Sequence, residues 1–247
     1  MNMANKVAIV TGASSGIGYS TSLALSKVGF KVAIGARRLD RLELLKKEIM
    51  KNKQEVFAGK LDVTSKSDCD SFVDAVVSKW GRIDVLVNNA GLMPLSYFKN
   101  GKVEKWEQMI DVNIKGVLYC TSAVIPHMLK EKSGHIVNMS SVGGRIVFAG
   151  GTVYCATKHA ITAFSEGIRK ELSPKYNIRV TCIEPGAVST ELLDTITDES
   201  MAGFVQATKN MEILQSEDIA NAVLYAVSAP DHVNVNEILI RPTAQER

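Results

Sequence analysis

The chain has 247 residues, 46% hydrophobic and 22% charged, with a net charge of +3. That composition suits a globular chain, and its Lys and Arg are too evenly interspersed with acids to predict a nucleic-acid or membrane partner. Nothing near Met1 reads as an apolar signal, and Cys69, Cys120, Cys155 and Cys182 form no C-x-x-C pair, so reduced core thiols and a cytoplasmic setting are expected.

Short β-branched runs at 7–10, 32–34, 56–58, 83–87, 135–139, 179–183 and 237–240 alternate with helix-length periodic stretches. Runs without polar alternation predict strands covered on both faces, and helical spacers predict right-handed crossovers. The expected architecture is therefore α/β: a doubly wound, seven-stranded parallel sheet flanked by helices, a Rossmann fold. No Pro, Gly or Ser tract divides the chain, so a single domain over residues 1–247 is expected.

Directly after the first strand comes Thr11-Gly12-Ala13-Ser14-Ser15-Gly16-Ile17-Gly18, running into a helical stretch. Gly12, Gly16 and Gly18 permit a tight turn, and Ser14, Ser15, Gly16 and Ile17 sit where a helix N-terminus would offer free N–H groups to a pyrophosphate. The second strand ends in Arg37-Arg38, where a carboxylate would serve an NAD ribose. Two guanidiniums suit a 2′-phosphate instead, which predicts NADP(H) as cofactor. Asp62-Val63 and Asn88-Asn89-Ala90-Gly91 follow the third and fourth strands at the ligand-binding edge. Asp62 is placed either against an adenine amino group or as the cap of the next turn.

From Trp106 to Met128 a helical stripe runs through Ile110, Asn113, Val117, Cys120 and Val124, with Asn113 as its polar interruption. A buried amide requires hydrogen-bond partners, so Asn113 is either tied to backbone or linked through water towards Lys158. Tyr154 and Lys158, four apart on a predicted helix from Thr152, share one face. The ammonium is expected to depress the pKa of the phenol, each unit requiring about 1.4 kcal/mol. Ser141 lies thirteen residues before Tyr154. Serine, phenol and ammonium can meet one carbonyl oxygen and deliver a proton to it.

Together these residues resemble the short-chain dehydrogenase/reductase family in its compact branch, from Lys6 to the C-terminus. The resemblance implies Tyr154 as general acid or base, Lys158 as ribose ligand and activator of Tyr154, Ser141 rather than Ser140 as carbonyl polariser, and Asn113 as proton-relay anchor. It also implies that Pro185, Gly186, Val188 and Thr190 contact the nicotinamide half. Many NADP-using members carry a basic residue where this chain has Ser15, so cofactor choice rests on Arg37 and Arg38. The tail 235–243 is similar to that of members acting on small hydroxy acids or aldehydes, which commonly form homotetramers, or otherwise homodimers. A substrate loop-helix is expected at 187–212, with Leu92, Met93, Val142, Phe148, Met201 and Met211 in an apolar pocket wall.

The expected activity is NADPH-dependent hydride transfer to or from a small carbonyl or alcohol substrate. One rival is a nucleotide-sensing regulator without turnover. Another is a serine hydrolase, because Gly12-Ala13-Ser14-Ser15-Gly16 fits a nucleophile elbow and Asp231-His232 follow in order, although an elbow belongs after a later strand. His127, His135, His159 and His232 form no ligand-spaced group, so no metal is expected.

Overall fold

The computed structural model describes residue 3 and residues 5–246. Seven strands, β1 Val7–Thr11, β2 Lys31–Ala36, β3 Val56–Lys60, β4 Val85–Asn88, β5 Gly134–Met139, β6 Ile178–Pro185 and β7 Glu237–Ile240, pair in the order β3-β2-β1-β4-β5-β6-β7. Every pairing is parallel. β1 pairs with β2 on one side and β4 on the other, so the strand order reverses there and a crevice opens beyond their carboxyl ends.

The helices are α1 Gly16–Lys27, α2 Leu39–Lys51, α3 Lys66–Trp80, α4 Val103–Ile110, α5 Gly116–Glu131, α6 Thr152–Tyr176, α7 Ala202–Lys209 and α8 Ser216–Ser228. One sheet face packs Val10, Ile34 and Val87 against Leu25 of α1, Leu42 and Leu45 of α2 and Val223 of α8. The other packs Ile9, Leu86 and Ile136 against Phe72 of α3 and Cys120 and Val124 of α5. Each such fully buried aliphatic side chain contributes about 1.5–3 kcal/mol. Local signals agree with these boundaries. Ser65 caps α3 by accepting the Asp68 N–H at 3.2 Å, and Gly81, at φ +78°, ends it in the left-handed region that glycine adopts at low cost.

Two expectations need correction. Burial on both faces holds for β1, β4, β5 and β6, whereas the edge strands β3 and β7 are only partly covered. The stretch 106–128 is not one continuous α-helical stripe. A π-helical turn, Asp111–Lys115, separates α4 from α5 and shifts the buried face by one position. Met109 is therefore buried at 1% exposure, and Ile110, expected on the apolar face, is 40% exposed.

Candidate active site

A cleft of about 1520 Å³ lies over the carboxyl ends of the strands. The glycine turn forms one end. Gly12 is at φ +66° and Gly16 at φ +54°, and a Cβ on Gly12 would stand 2.8 Å from the Ala90 Cα. The turn thus closes on the β4 end only because glycine occupies it. Gly18 lies beneath the turn, not on the cleft wall: a Cβ there would stand 2.5 Å from the Gly12 carbonyl oxygen and from Asn89 Nδ2. Asn89 Nδ2 donates to the Thr11 and Gly12 carbonyls at 2.9 and 3.2 Å, tying β4 to the turn.

No side chain caps the N-terminus of α1, and its first turn has no acid. Gly12, Ser14, Ser15, Gly16 and Ile17 line the cleft there, facing Arg37 and Arg38. Arg38 donates to Ser14 Oγ through Nε (3.1 Å) and Nη2 (2.9 Å), to Ser15 Oγ at 2.8 Å, and to Glu191 at 2.7 Å. These free amides, hydroxyls and guanidiniums fit the phosphates of a dinucleotide. Asp62 and Val63 also border the cleft, and Asp62 Oδ1 caps its own turn, accepting from Thr64 N at 3.0 Å and Thr64 Oγ1 at 2.8 Å. Ser14 does not meet Asp231, which borders a small cavity with Lys6, Ser133 and His135 at the amino ends of β1 and β5, so no hydrolase triad assembles.

Asn89, Ala90, Gly91, Ser141, Tyr154, Lys158, Pro185, Gly186, Val188 and Thr190 line the cleft as expected from their positions at strand ends and on α6. Gly143 brings the serine and phenol together: a Cβ there would be 3.1 Å from Tyr154 Cε1 and 3.5 Å from Ser141 Oγ. Lys158 Nζ stands 5.7 Å from the Tyr154 ring centroid. Ser140 also borders the cleft, but its hydroxyl donates to the Lys158 carbonyl of α6 at 3.0 Å. Behind it, Arg145 binds buried Glu184 through Nε at 2.9 and 2.8 Å, and Thr162 donates to Glu184 at 3.2 Å. This network ties the turn Val142–Gly144 to β6 and α6, and thereby fixes Ser141 relative to Lys158.

The expected depression of the Tyr154 pKa does not hold in this state. Burial pushes the phenol up to about 12, against an opposing contribution from the Ser141 hydroxyl. Burial also lowers Lys158 to about 8. Its ammonium donates to the Met139 carbonyl at 2.8 Å and stands over the phenol ring without a hydrogen bond to the hydroxyl. Desolvation outweighs a cation held at ring distance.

Asn113 is 1% exposed and is tied to backbone: its Oδ1 accepts from Leu92 N at 2.8 Å and its Nδ2 donates to Leu92 O at 2.9 Å. Nδ2 also donates to Thr157 Oγ1 at 3.1 Å on α6. It lies beneath the cleft wall rather than on it. A Cβ on Gly91 would be 3.5 Å from Asn113 Oδ1 and 3.9 Å from Lys158 Nζ, so the two groups border the same point.

Leu92, Met93, Val142, Phe148 and Met211 form part of the pocket wall. Met201 does not: it is 2% exposed and packs under Gly150 in a cluster with Leu95 and Cys155. The segment after β6 folds as short 3-10 turns, Glu191–Thr195 and Glu199–Met201, followed by α7. Thr195 Oγ1 accepts from Met93 N at 3.2 Å, and Asp198 accepts from Ser96 and Asn100 at 2.6 and 2.9 Å, pinning the segment across the cleft.

Sequence reasoning missed Glu191 and the tail residues Arg241, Gln245 and Glu246, all of which border the cleft. The tail closes back because Gln245 Oε1 accepts from Ala187 N at 2.9 Å. Arg241 Nε is buried without a hydrogen-bond partner. The available signal was topological: β7 is parallel to β6, so whatever follows it emerges at the ligand edge.

The short chain dehydrogenase family model matches residues 6–201. The chain is 48% identical to an uncharacterized oxidoreductase of Staphylococcus saprophyticus over 99% of its own length and 98% of that protein's. Among solved structures it superposes on the closed form of a serine dehydrogenase complexed with NADP+, with TM-score 0.90 and 36% identity over 98% of this chain and 96% of that one. It also superposes on an alcohol dehydrogenase from Thermococcus sibiricus complexed with 5-hydroxy-NADP, with TM-score 0.86 and 30% identity over 98% of both chains. The family uses a nicotinamide cofactor. With its parallel sheet, glycine turn and Ser141, Tyr154 and Lys158 gathered at one edge, the chain belongs to the short-chain dehydrogenase/reductase family and is an oxidoreductase.

Proposed function

We propose that the protein is an NADPH-dependent reductase of small carbonyl compounds, working reversibly on the corresponding secondary alcohols. The observation that carries this reading is the convergence of Ser141, Tyr154 and Lys158 in the same cleft as the glycine turn. When bound, the cofactor supplies the hydride and the protein supplies everything else. Ser141 polarises the carbonyl oxygen, and Tyr154, held protonated by burial, gives it a proton. A preorganised donor of this kind is worth about 3 kcal/mol in the transition state. Lys158 holds ribose hydroxyls and, on exchanging the Met139 carbonyl for them, supports the charge that develops on the phenol. Asn113 fixes the Leu92 backbone over α6 and anchors a proton relay towards Lys158.

NADPH preference is supported by Arg37 and Arg38 at the end of β2 and by the NADP-containing neighbours. The Arg241 guanidinium on the cleft wall supports a substrate that carries a carboxylate, a 3-hydroxy or 3-keto acid in place of a neutral aldehyde or ketone. A cytoplasmic setting accords with four buried, unpaired cysteines and with the absence, among the described residues, of a helix long and apolar enough to cross a membrane. A homotetramer, or a homodimer, accords with the exposed β7 edge at Leu239 and the outward Tyr225 of α8, in one catalytic domain over residues 1–247.

The test is consumption of NADPH and of NADH against a panel of keto acids, aldehydes, diketones and ketosteroids. The reading expects NADPH oxidation with the acids foremost. NADPH binding without oxidation across the panel would favour a regulator, and a clear NADH preference would overturn the role of Arg37 and Arg38.

A further inference from the structure

Resting on the NADPH preference proposed above, a further assignment follows from the acid that Arg38 already holds. Glu191 opens the 3-10 turn after β6, and its Oε2 accepts from Arg38 Nη1 at 2.7 Å while Oε1 pairs with Arg41. Arg38, Ser14, Ser15 and Glu191 all border the cleft, whereas Arg41 stands behind them on α2. Thr190, the residue before Glu191, presses on the phosphate turn: a Cβ on Gly16 would be 3.0 Å from Thr190 Cγ2. The acid is thus positioned at the adenosine end of the cleft, not merely on a nearby surface.

A guanidinium has five N–H donors in a fixed plane, and those of Arg38 are divided between two serines and one carboxylate. Arg37 also borders the cleft at the end of β2, but an anion that reaches Arg38 meets the carboxylate already on its Nη1. Two anions on one guanidinium edge repel each other, and Arg41 does not border the cleft to serve the newcomer. The two guanidiniums keep the Glu191 carboxyl low, at about 2, so it is an anion throughout the neutral range.

The geometry points to Glu191 as a specificity-determining residue: an internal rival of the cofactor's 2′-phosphate for Arg38, weakening NADPH binding and leaving NADH binding untouched. Arg41 makes the exchange feasible, because it keeps one carboxylate oxygen paired when Arg38 turns to the phosphate. The pair is about 42–43% exposed, which limits the effect to a modest factor.

The experiment is equilibrium titration of NADPH and NADH into the wild type and Glu191→Gln, with thermal melting as a check on folding. Wild type is expected to bind NADPH more tightly than NADH. Glu191→Gln is expected to tighten NADPH about fivefold, the scale of a half-exposed charge pair, and to leave NADH within about twofold. A wild-type preference that the substitution leaves unchanged or reduces, or equal shifts for both cofactors, overturns the rivalry alone. Equal affinities in the wild type would remove the NADPH preference and this assignment with it.

Discussion

Lys158 and Tyr154 are neighbours that do not share a hydrogen bond: the ammonium lies 5.7 Å from the ring centroid and donates to the Met139 carbonyl at 2.8 Å. The pair is therefore held in a state that must be rearranged before the phenol is activated. Burial is the largest influence on both groups, with the phenol up at about 12 and the ammonium down at about 8.

The first expectation concerns pH. The folded-state pKa of Lys158, about 8, lies below its ordinary 10.5, so between those values the unfolded chain binds more protons and stability rises with pH. This contribution is fully present above 10.5 and is lost as pH falls through 8. Lys158→Met should therefore melt higher than the wild type at pH 7 without cofactor, and the gap should close between pH 8 and 10.5. In the wild type, kcat/KM for reduction should fall above pH about 8 as the charge is lost. Thermal melts and initial rates across pH 6–11 check both.

A second concerns Asn113. Asn113→Leu strands the Leu92 N–H and C=O and removes the bond to Thr157, which should lower stability by about 2–4 kcal/mol. Because Leu92 and Gly91 border the cleft, kcat should fall more than KM rises. Denaturant unfolding with steady-state kinetics reads both, and unchanged stability would contradict the tie.

Much of this was legible in the chain and some was not, for physical reasons. The β-branched runs located the seven strands because a parallel sheet buries its central strands on both faces and covers even its edge strands β3 and β7 in part. The glycine turn, Ser141, Tyr154 and Lys158 were legible because strand ends and helix spacing place them together. The π turn at Asp111–Lys115 was not, since it accompanies tertiary bonds from Asn113 to Leu92 and Thr157 that leave no mark in periodicity. Met201 reads as a pocket methionine by composition, yet Gly150 leaves a niche that buries it. The raised phenol depends on how completely α6 is covered, and residues Arg241–Glu246 lie beyond the last periodic element.

A third expectation follows from that tail. Arg241→Gln should raise KM for carboxylate-bearing substrates about tenfold or more and leave kcat nearly unchanged, while neutral ketones are unaffected. Equal loss for acids and neutral ketones would assign Arg241 to the fold of the tail instead.

The central claim is that the Tyr154 phenol delivers the proton within a nicotinamide cleft, and Tyr154→Phe tests it most directly. NADPH affinity and single-turnover reduction of a keto acid should be measured on the same preparation. The account predicts an affinity within about twofold of the wild type and a rate lower by about 10²–10⁴-fold, the range of general acid catalysis. A variant that still reduces the keto acid at the wild-type rate would contradict it.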